Sequence, residues 1–285
     1  MALGEYRSNL ISSGLIAKSP LLFGSSDFIT PESATDFEYE WLNLDPFVQL
    51  HSFNLSCIFD RFEMSFSSFA EASVLDVGCG NGRLGRHLVE LSRSYVGIEP
   101  SAAADAFACS LESNKTSPNR ALIVREQLNV LIRPESGFDV VVCWGVLHHC
   151  PNPKAEFERM LALMSETGVL LVYVYPKPFD SRGEFARVIS KQPISIKKSF
   201  VDRVSSIVNF YGIYGDEFCD WLGEAFFCGR YKESELQKFQ LFDGITPKFH
   251  WSLSSQIDDW AKARGFVAKL TAPGCFKVFR EAGIG

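Results

Sequence analysis

The chain has 285 residues, of which 46% are hydrophobic and 22% charged, and its formal net charge is −6. That length holds one large α/β domain with an insertion, or two modest domains, and the hydrophobic share excludes disorder by composition. An acidic chain with no run of five or more Lys/Arg offers no electrostatic footprint to a phosphate backbone, so nucleic acid is not an expected partner.

No uncharged apolar run approaches the roughly 20 residues that span a bilayer, and the start of the chain lacks a basic segment followed by an apolar core. A cytoplasmic protein without a membrane partner is expected. The eight cysteines stand singly with no Cys-x-x-Cys, which predicts reduced thiols and no zinc ribbon.

Residues 1–72 read as an N-terminal arm followed by a helical cap segment. The first 36 are rich in Ser and Gly with weak periodicity, and predict a loosely held arm with one short helix. From Phe37 to Phe69 the pattern turns aromatic at helical spacing, as in Leu55, Phe59 and Phe62.

Strand and helix alternate over residues 73–176. Val74–Val77, Tyr95–Ile98, Ala121–Val124, Phe138–Cys143 and Val169–Tyr175 are continuous apolar runs, the mark of strands covered on both faces. Helical patterns fall between them, including one that begins at Pro153. Residues 177–250 lose the strand pattern and predict a helical lid inserted into the core. Residues 251–285 restore the alternation with a helix near Ser254–Arg264 and strands near Val267–Leu270 and Cys275–Phe279. The fold expected is a doubly wound, seven-stranded, mostly parallel α/β sheet of Rossmann-like kind.

The most informative stretch is Asp76-Val77-Gly78-Cys79-Gly80-Asn81-Gly82, a strand running through a glycine turn into a helix. The glycines predict backbone N–H groups brought up to a ligand. The spacing is Gly-x-Gly-x-Gly, and an acid stands two residues before the first glycine. A carboxylate there opposes a pyrophosphate and favours an ammonium- or sulfonium-bearing group.

This stretch resembles the first motif of class I S-adenosylmethionine-dependent methyltransferases. Two further segments agree in order and spacing: Val96-Gly97-Ile98-Glu99-Pro100-Ser101, and Phe138-Asp139-Val140-Val141 leading to Gly145-Val146-Leu147-His148-His149. The resemblance covers residues 73 to about 175, with tail similarity over 242–280. It implies S-adenosylmethionine as cofactor, held by Asp76, Gly78, Cys79, Gly80, Gly82, Glu99, Pro100, Trp144 and Gly145. Glu99 takes the place of the family's ribose-hydroxyl ligand. The family often carries an acid after the third strand for the adenine amino group. Here that place falls on Gln127, whose amide oxygen accepts the same bond, with Leu128 beside it and Glu126 as the alternative one register away.

The candidate general bases are His148, His149 and His250. The histidine pair follows the fourth strand, where ligands collect in a doubly wound sheet. His250 closes the segment Asp243-Gly244-Ile245-Thr246-Pro247-Lys248-Phe249-His250, which in similar small-molecule methyltransferases lies near the acceptor mouth. Tyr173 and Tyr175 are expected to line the same cavity or to pack in the core. A metal site built from Cys143, His148, His149 and Cys150 is disfavoured, because adjacent residues point apart and no carboxylate completes the set. The expected reaction is methyl transfer to a small-molecule acceptor, with O-methylation of a metabolite or natural product leading, by a monomer or a homodimer. A nucleic-acid or protein methyltransferase and a cofactor-binding protein without turnover are the alternatives. The first lacks both an Asn-Pro-Pro-Tyr motif and a basic face.

Overall fold

In the computed structural model, the described residues are 3–43, 55–175, 188–210 and 253–281. The helix Leu3–Ser12 (α1) is followed by two short strands, Ile16–Ala17 (β1) and Leu22–Gly24 (β2). The helices Glu32–Asn43 (α2) and Leu55–Arg61 (α3) come next. The core then alternates: Ser73–Val77 (β3), Gly85–Leu91 (α4), Ser94–Ile98 (β4), Ala103–Ser113 (α5), Ala121–Arg125 (β5), Phe138–Trp144 (β6), Pro153–Leu163 (α6) and Met164–Tyr173 (β7). Beyond the helix Ile194–Phe210, the helix Ile257–Lys262 leads into Val267–Ala272 (β8) and Cys275–Phe279 (β9).

The seven expected strands all form, and the sheet gains two more from the N-terminal arm, in the order β1-β2-β5-β4-β3-β6-β7-β9-β8. Five neighbouring pairs from β2 to β7 are parallel, while the β1–β2, β7–β9 and β8–β9 pairs are antiparallel. The arm is therefore not loosely held. Leu22 pairs with Ile123 and Gly24 with Arg125, and Tyr6 and Leu10 of α1 are at most 1% exposed. Weak periodicity hid this, because α1 is short and anchors itself by three apolar residues, Leu3, Tyr6 and Leu10, and by the Tyr6 hydroxyl donating to the Ile132 carbonyl at 3.0 Å.

Alternate residues along each central strand enter opposite cores, as the pleat demands. Leu75, Val96, Leu122 and Val141 face the layer made by α1, α6 and the helix Ile257–Lys262. Val74, Tyr95, Ile123 and Val140 face α3, α4 and α5, around Phe59, Leu88 and Phe107. Both faces are covered, which explains why the strand sequences read as unbroken apolar runs. The α6 helix starts where its sequence specifies: the Asn152 side chain accepts from the Ala155 amide at 3.2 Å, and Pro153 fills the first turn.

The order of strands reverses at β3, which has β4 on one side and β6 on the other. In an open α/β sheet such a switch point opens a crevice at the carboxyl ends of the strands. Those ends carry Asp76 and the glycine turn, Glu99, Glu126, Trp144 and Tyr173. Among the described residues no helix is long and apolar enough to cross a membrane, and the cysteines at 79, 109, 143, 150 and 275 are free thiols.

Candidate ligand cavity at the switch point

A cavity of about 330 Å³ lies in this crevice, within the size range of small-molecule sites. Asp76, Gly78, Cys79, Glu99, Pro100, Gln127, Leu128, Trp144 and Gly145 line it. So do His149, Tyr173 and Tyr175. His148 is fully buried and does not line it. His250 and Asp243 lie outside the described residues.

The glycine turn works differently from the sequence expectation. The amides of Gly78, Cys79, Gly80 and Gly82 are engaged within the protein. Gly78 and Cys79 donate to the Ile98 carbonyl at 2.8 and 3.2 Å, and Gly82 donates to the Cys79 carbonyl at 3.0 Å. Gly80 donates to Glu99 Oε2 at 3.2 Å. What the glycines supply is shape. Gly78 has φ +72°, and a Cβ there would lie 2.4 Å from the Val146 side chain. Gly82 has φ +84°, and its Cβ would lie 2.1 Å from the Phe107 ring. Both positions need the left-handed backbone and the missing side chain together. Gly80 and Gly82 stand behind the cavity wall rather than in it, whereas Gly78 lines it.

Glu99 ends β4 and is 6% exposed. Its Oε1 accepts from the Ser101 amide at 2.9 Å and its Oε2 from Gly80. Burial raises its carboxyl above the usual range, and the hydrogen bonds from Ser101 and Gly80 oppose that rise. A carboxylate offers about four lone-pair sites, so two backbone donors fix its orientation and leave acceptor capacity toward the cavity. Asp76, 3% exposed, accepts from the Tyr95 hydroxyl at 2.8 Å. Burial pushes the Asp76 carboxyl up to about 7.

At the end of β5 the geometry favours the neighbour of the expected residue. Glu126 is 4% exposed, lines the cavity and accepts from the Ser25 amide at 2.9 Å. Gln127 also lines the cavity, but its side chain is largely exposed. The end of β2 therefore positions the Glu126 carboxylate, a contact that cannot be seen without knowing that the arm pairs with β5.

The roof comes from α2, which the sequence showed only as an aromatic helical segment. Phe37, Glu40 and Trp41 line the cavity. Glu38 Oε2 accepts from the Ala102 amide at 2.7 Å and from the Thr30 hydroxyl at 2.8 Å, tying α2 to the start of α5. The Asn81 side-chain amide donates to the Trp41 carbonyl at 3.1 Å, and the Arg83 guanidinium lies 5.0 Å from the Trp41 ring centre. Opposite stands an aromatic wall. Trp144 stacks on Tyr173 at 4.5 Å between ring centres. The His149 ring lies 5.0 Å from Phe37, 3.9 Å from His148 and 5.7 Å from Tyr175. One imidazole therefore faces the cavity, and the second supports it from behind. Among the described residues no cluster of His, Cys, Asp and Glu could hold a metal ion.

Residues 58–268 match the sequence family described as a methyltransferase domain. The chain is 33% identical over 114 residues to a ubiquinone biosynthesis O-methyltransferase of Rhodopseudomonas palustris (strain TIE-1), a match covering 40% of this chain and 44% of that one. It is 30% identical over 138 residues to the protein of the same name from Xanthomonas euvesicatoria pv. vesicatoria (strain 85-10), covering 46% of this chain and 54% of that one. The chain thus spans about half the length of the curated relatives it matches. Among solved structures, PKMT2 from Rickettsia typhi in complex with AdoHcy aligns with a TM-score of 0.53 and 14% identity, over 80% of this chain and 52% of that one.

Proposed function

The chain belongs to the methyltransferase-domain family, and we propose that it transfers the methyl group of S-adenosylmethionine to the hydroxyl of a small-molecule acceptor. The observation that carries this reading is the meeting, in one cavity, of a buried carboxylate at the end of β4 with a cavity-facing imidazole after β6. The cofactor fits the residues present. Glu99 has acceptor capacity for two vicinal ribose hydroxyls, and Glu126 has it for the adenine amino group. Asp76 brings negative charge to the glycine turn, where a cationic amino-acid end would be favoured. When bound, S-adenosylmethionine supplies a methyl group on a positively charged sulfur.

The protein's own part is alignment and proton removal. Trp144, Tyr173 and Phe37 give flat apolar walls that orient an acceptor and exclude competing water. His149 is the base in this reading, because a neutral imidazole takes a hydroxyl proton near neutral pH. Its ring orientation is set by Phe37, His148 and Tyr175. His148 serves by packing beneath it. The curated relatives named as O-methyltransferases support a hydroxyl acceptor. A cytoplasmic enzyme acting without nucleic acid or membrane, as a monomer or a homodimer, belongs to the same proposal.

The test has two arms. Isothermal titration with S-adenosylhomocysteine should give saturable binding to the wild type and at least tenfold weaker binding to Glu99→Ala; equal affinities would remove Glu99 from the site. A panel of phenols and amines, followed by S-adenosylhomocysteine release, should show turnover of a hydroxyl acceptor. His149→Ala should lower that turnover by about 10²–10⁴-fold. Turnover confined to amines would replace the O-methylation reading.

A further inference from the structure

We infer that Tyr95, which does not reach the ligand cavity, is a positioning residue for the cofactor site: its hydroxyl holds the Asp76 carboxylate so that Asp76 meets the cationic amino-acid end of the ligand. This deepens the proposed function and rests on it.

Four observations show that the contact is built. Tyr95 and Asp76 sit on neighbouring parallel strands, with Asp76 in register with Gly97, two residues beyond Tyr95. The Tyr95 side chain is fully buried, and its hydroxyl donates to Asp76 Oδ2 at 2.8 Å. Two glycines leave room for that one hydroxyl. A Cβ on Gly85 of α4 would stand 2.4 Å from the Tyr95 oxygen, and a Cβ on Gly97 of β4 would stand 2.9 Å from it. The Phe107 ring packs edge-on against Tyr95 with centres 6.0 Å apart, which pins the phenol. Phenylalanine would fill the same apolar space without the hydroxyl. The oxygen's partners are the Asp76 carboxylate, to which it donates, and the neighbouring Cys79 thiol.

The chemistry follows from burial. The titratable groups facing Asp76 are Tyr95 on β4, Cys79 in the turn, Glu99 at the end of β4 and Cys143 on β6. Desolvation raises the Asp76 carboxyl, Tyr95 lowers it and Glu99 raises it. Burial also holds the phenol well above its usual range, so the hydroxyl keeps its proton and donates. Of these groups the Tyr95 hydroxyl is thus the one whose hydrogen bond favours the charged form of Asp76. It also leaves Oδ1 as the oxygen for the ligand.

The experiment is S-adenosylhomocysteine affinity measured from pH 6 to 8.5 for the wild type, Tyr95→Phe, Asp76→Asn and the double variant. The wild type should lose affinity as pH falls through the Asp76 titration. Tyr95→Phe should move that midpoint upward by about one pH unit, a loss of up to about tenfold below it, and should approach wild-type affinity at pH 8.5. Asp76→Asn should bind weakly without that titration, and adding Tyr95→Phe to it should change little. A uniform loss at every pH, or additive losses in the double variant, would reduce Tyr95 to a packing residue. Should Tyr95→Phe fold poorly, 3-fluorotyrosine placed at position 95 is a near-isosteric, stronger donor and must shift the midpoint the other way. Failure of the wild type to bind S-adenosylhomocysteine would instead remove the proposed function itself.

Discussion

Replacing Asp76 by Asn should stabilise the ligand-free protein at neutral pH, and should do so in a pH-dependent way. Burial raises the Asp76 carboxyl from 3.8 to about 7 in the folded chain. A raised folded value means that the folded state holds the proton more tightly than the unfolded state does. The aspartate's destabilisation is therefore absent below pH 4, grows as pH rises, and levels off above 7. At pH 5 the aspartate costs about 1.5 kcal/mol, almost all of it for the proton taken up on folding, and at pH 8 about 4 kcal/mol. Asn keeps an oxygen for the Tyr95 hydroxyl and adds a fixed offset from its own amide, independent of pH. Urea unfolding of both proteins at pH 5 and pH 8 isolates the titration, because groups that do not interact with Asp76 are common to the two and cancel. The advantage of Asp76→Asn should grow by about 2–3 kcal/mol between those values. Curves that stay parallel to within about 1 kcal/mol would show that the carboxylate is not held at a cost, and the charge-based reading of the glycine turn would lose its basis.

Gly82→Ala should lower stability by at least about 2 kcal/mol in the same assay, since the left-handed backbone and the Phe107 ring both reject a methyl group; an effect under 0.5 kcal/mol would show that α5 shifts freely. Glu38→Ala removes the acceptor from the start of α5 and the tie to Thr30. It should reduce stability by about 1 kcal/mol and speed S-adenosylhomocysteine release in stopped-flow measurements, and an unchanged release rate would mean that α2 does not hold the ligand in. Glu126→Ala should weaken S-adenosylhomocysteine binding severalfold while Gln127→Ala leaves it within about twofold, and the reverse ranking would restore Gln127 as the adenine partner.

The core was legible because its signals are local. Unbroken apolar strands, the Asn152-Pro153 helix start and the Gly-x-Gly-x-Gly turn each state their conformation within a few residues, and all seven core strands form where those signals place them. The acid at the end of β4 was legible for the same reason. What escaped were contacts between segments far apart in the chain. Ser25 fixing Glu126, Glu38 capping α5 and Trp41 lying over Asn81 all depend on how the first 43 residues dock, and no short-range pattern encodes docking. The contacts of the glycine turn escape for a related reason. Glycine marks where backbone can come close, but not what it comes close to, and here the near partners are Val146, Phe107 and the Ile98 carbonyl.

The parallel pairing of Leu22 with Ile123 has a consequence for how the molecule is made. Apart from the two-residue β1, the early strand has no neighbour to add to until about a hundred later residues have been synthesised and β5 has formed, and closing so long a loop is slow relative to local helix formation. Since α2 follows that strand, the helix that covers the crevice settles only once β5 is in place. A molecule in which β2 has not yet paired would thus carry an open ligand site, and a small molecule bound beneath α2 would act on that docking step.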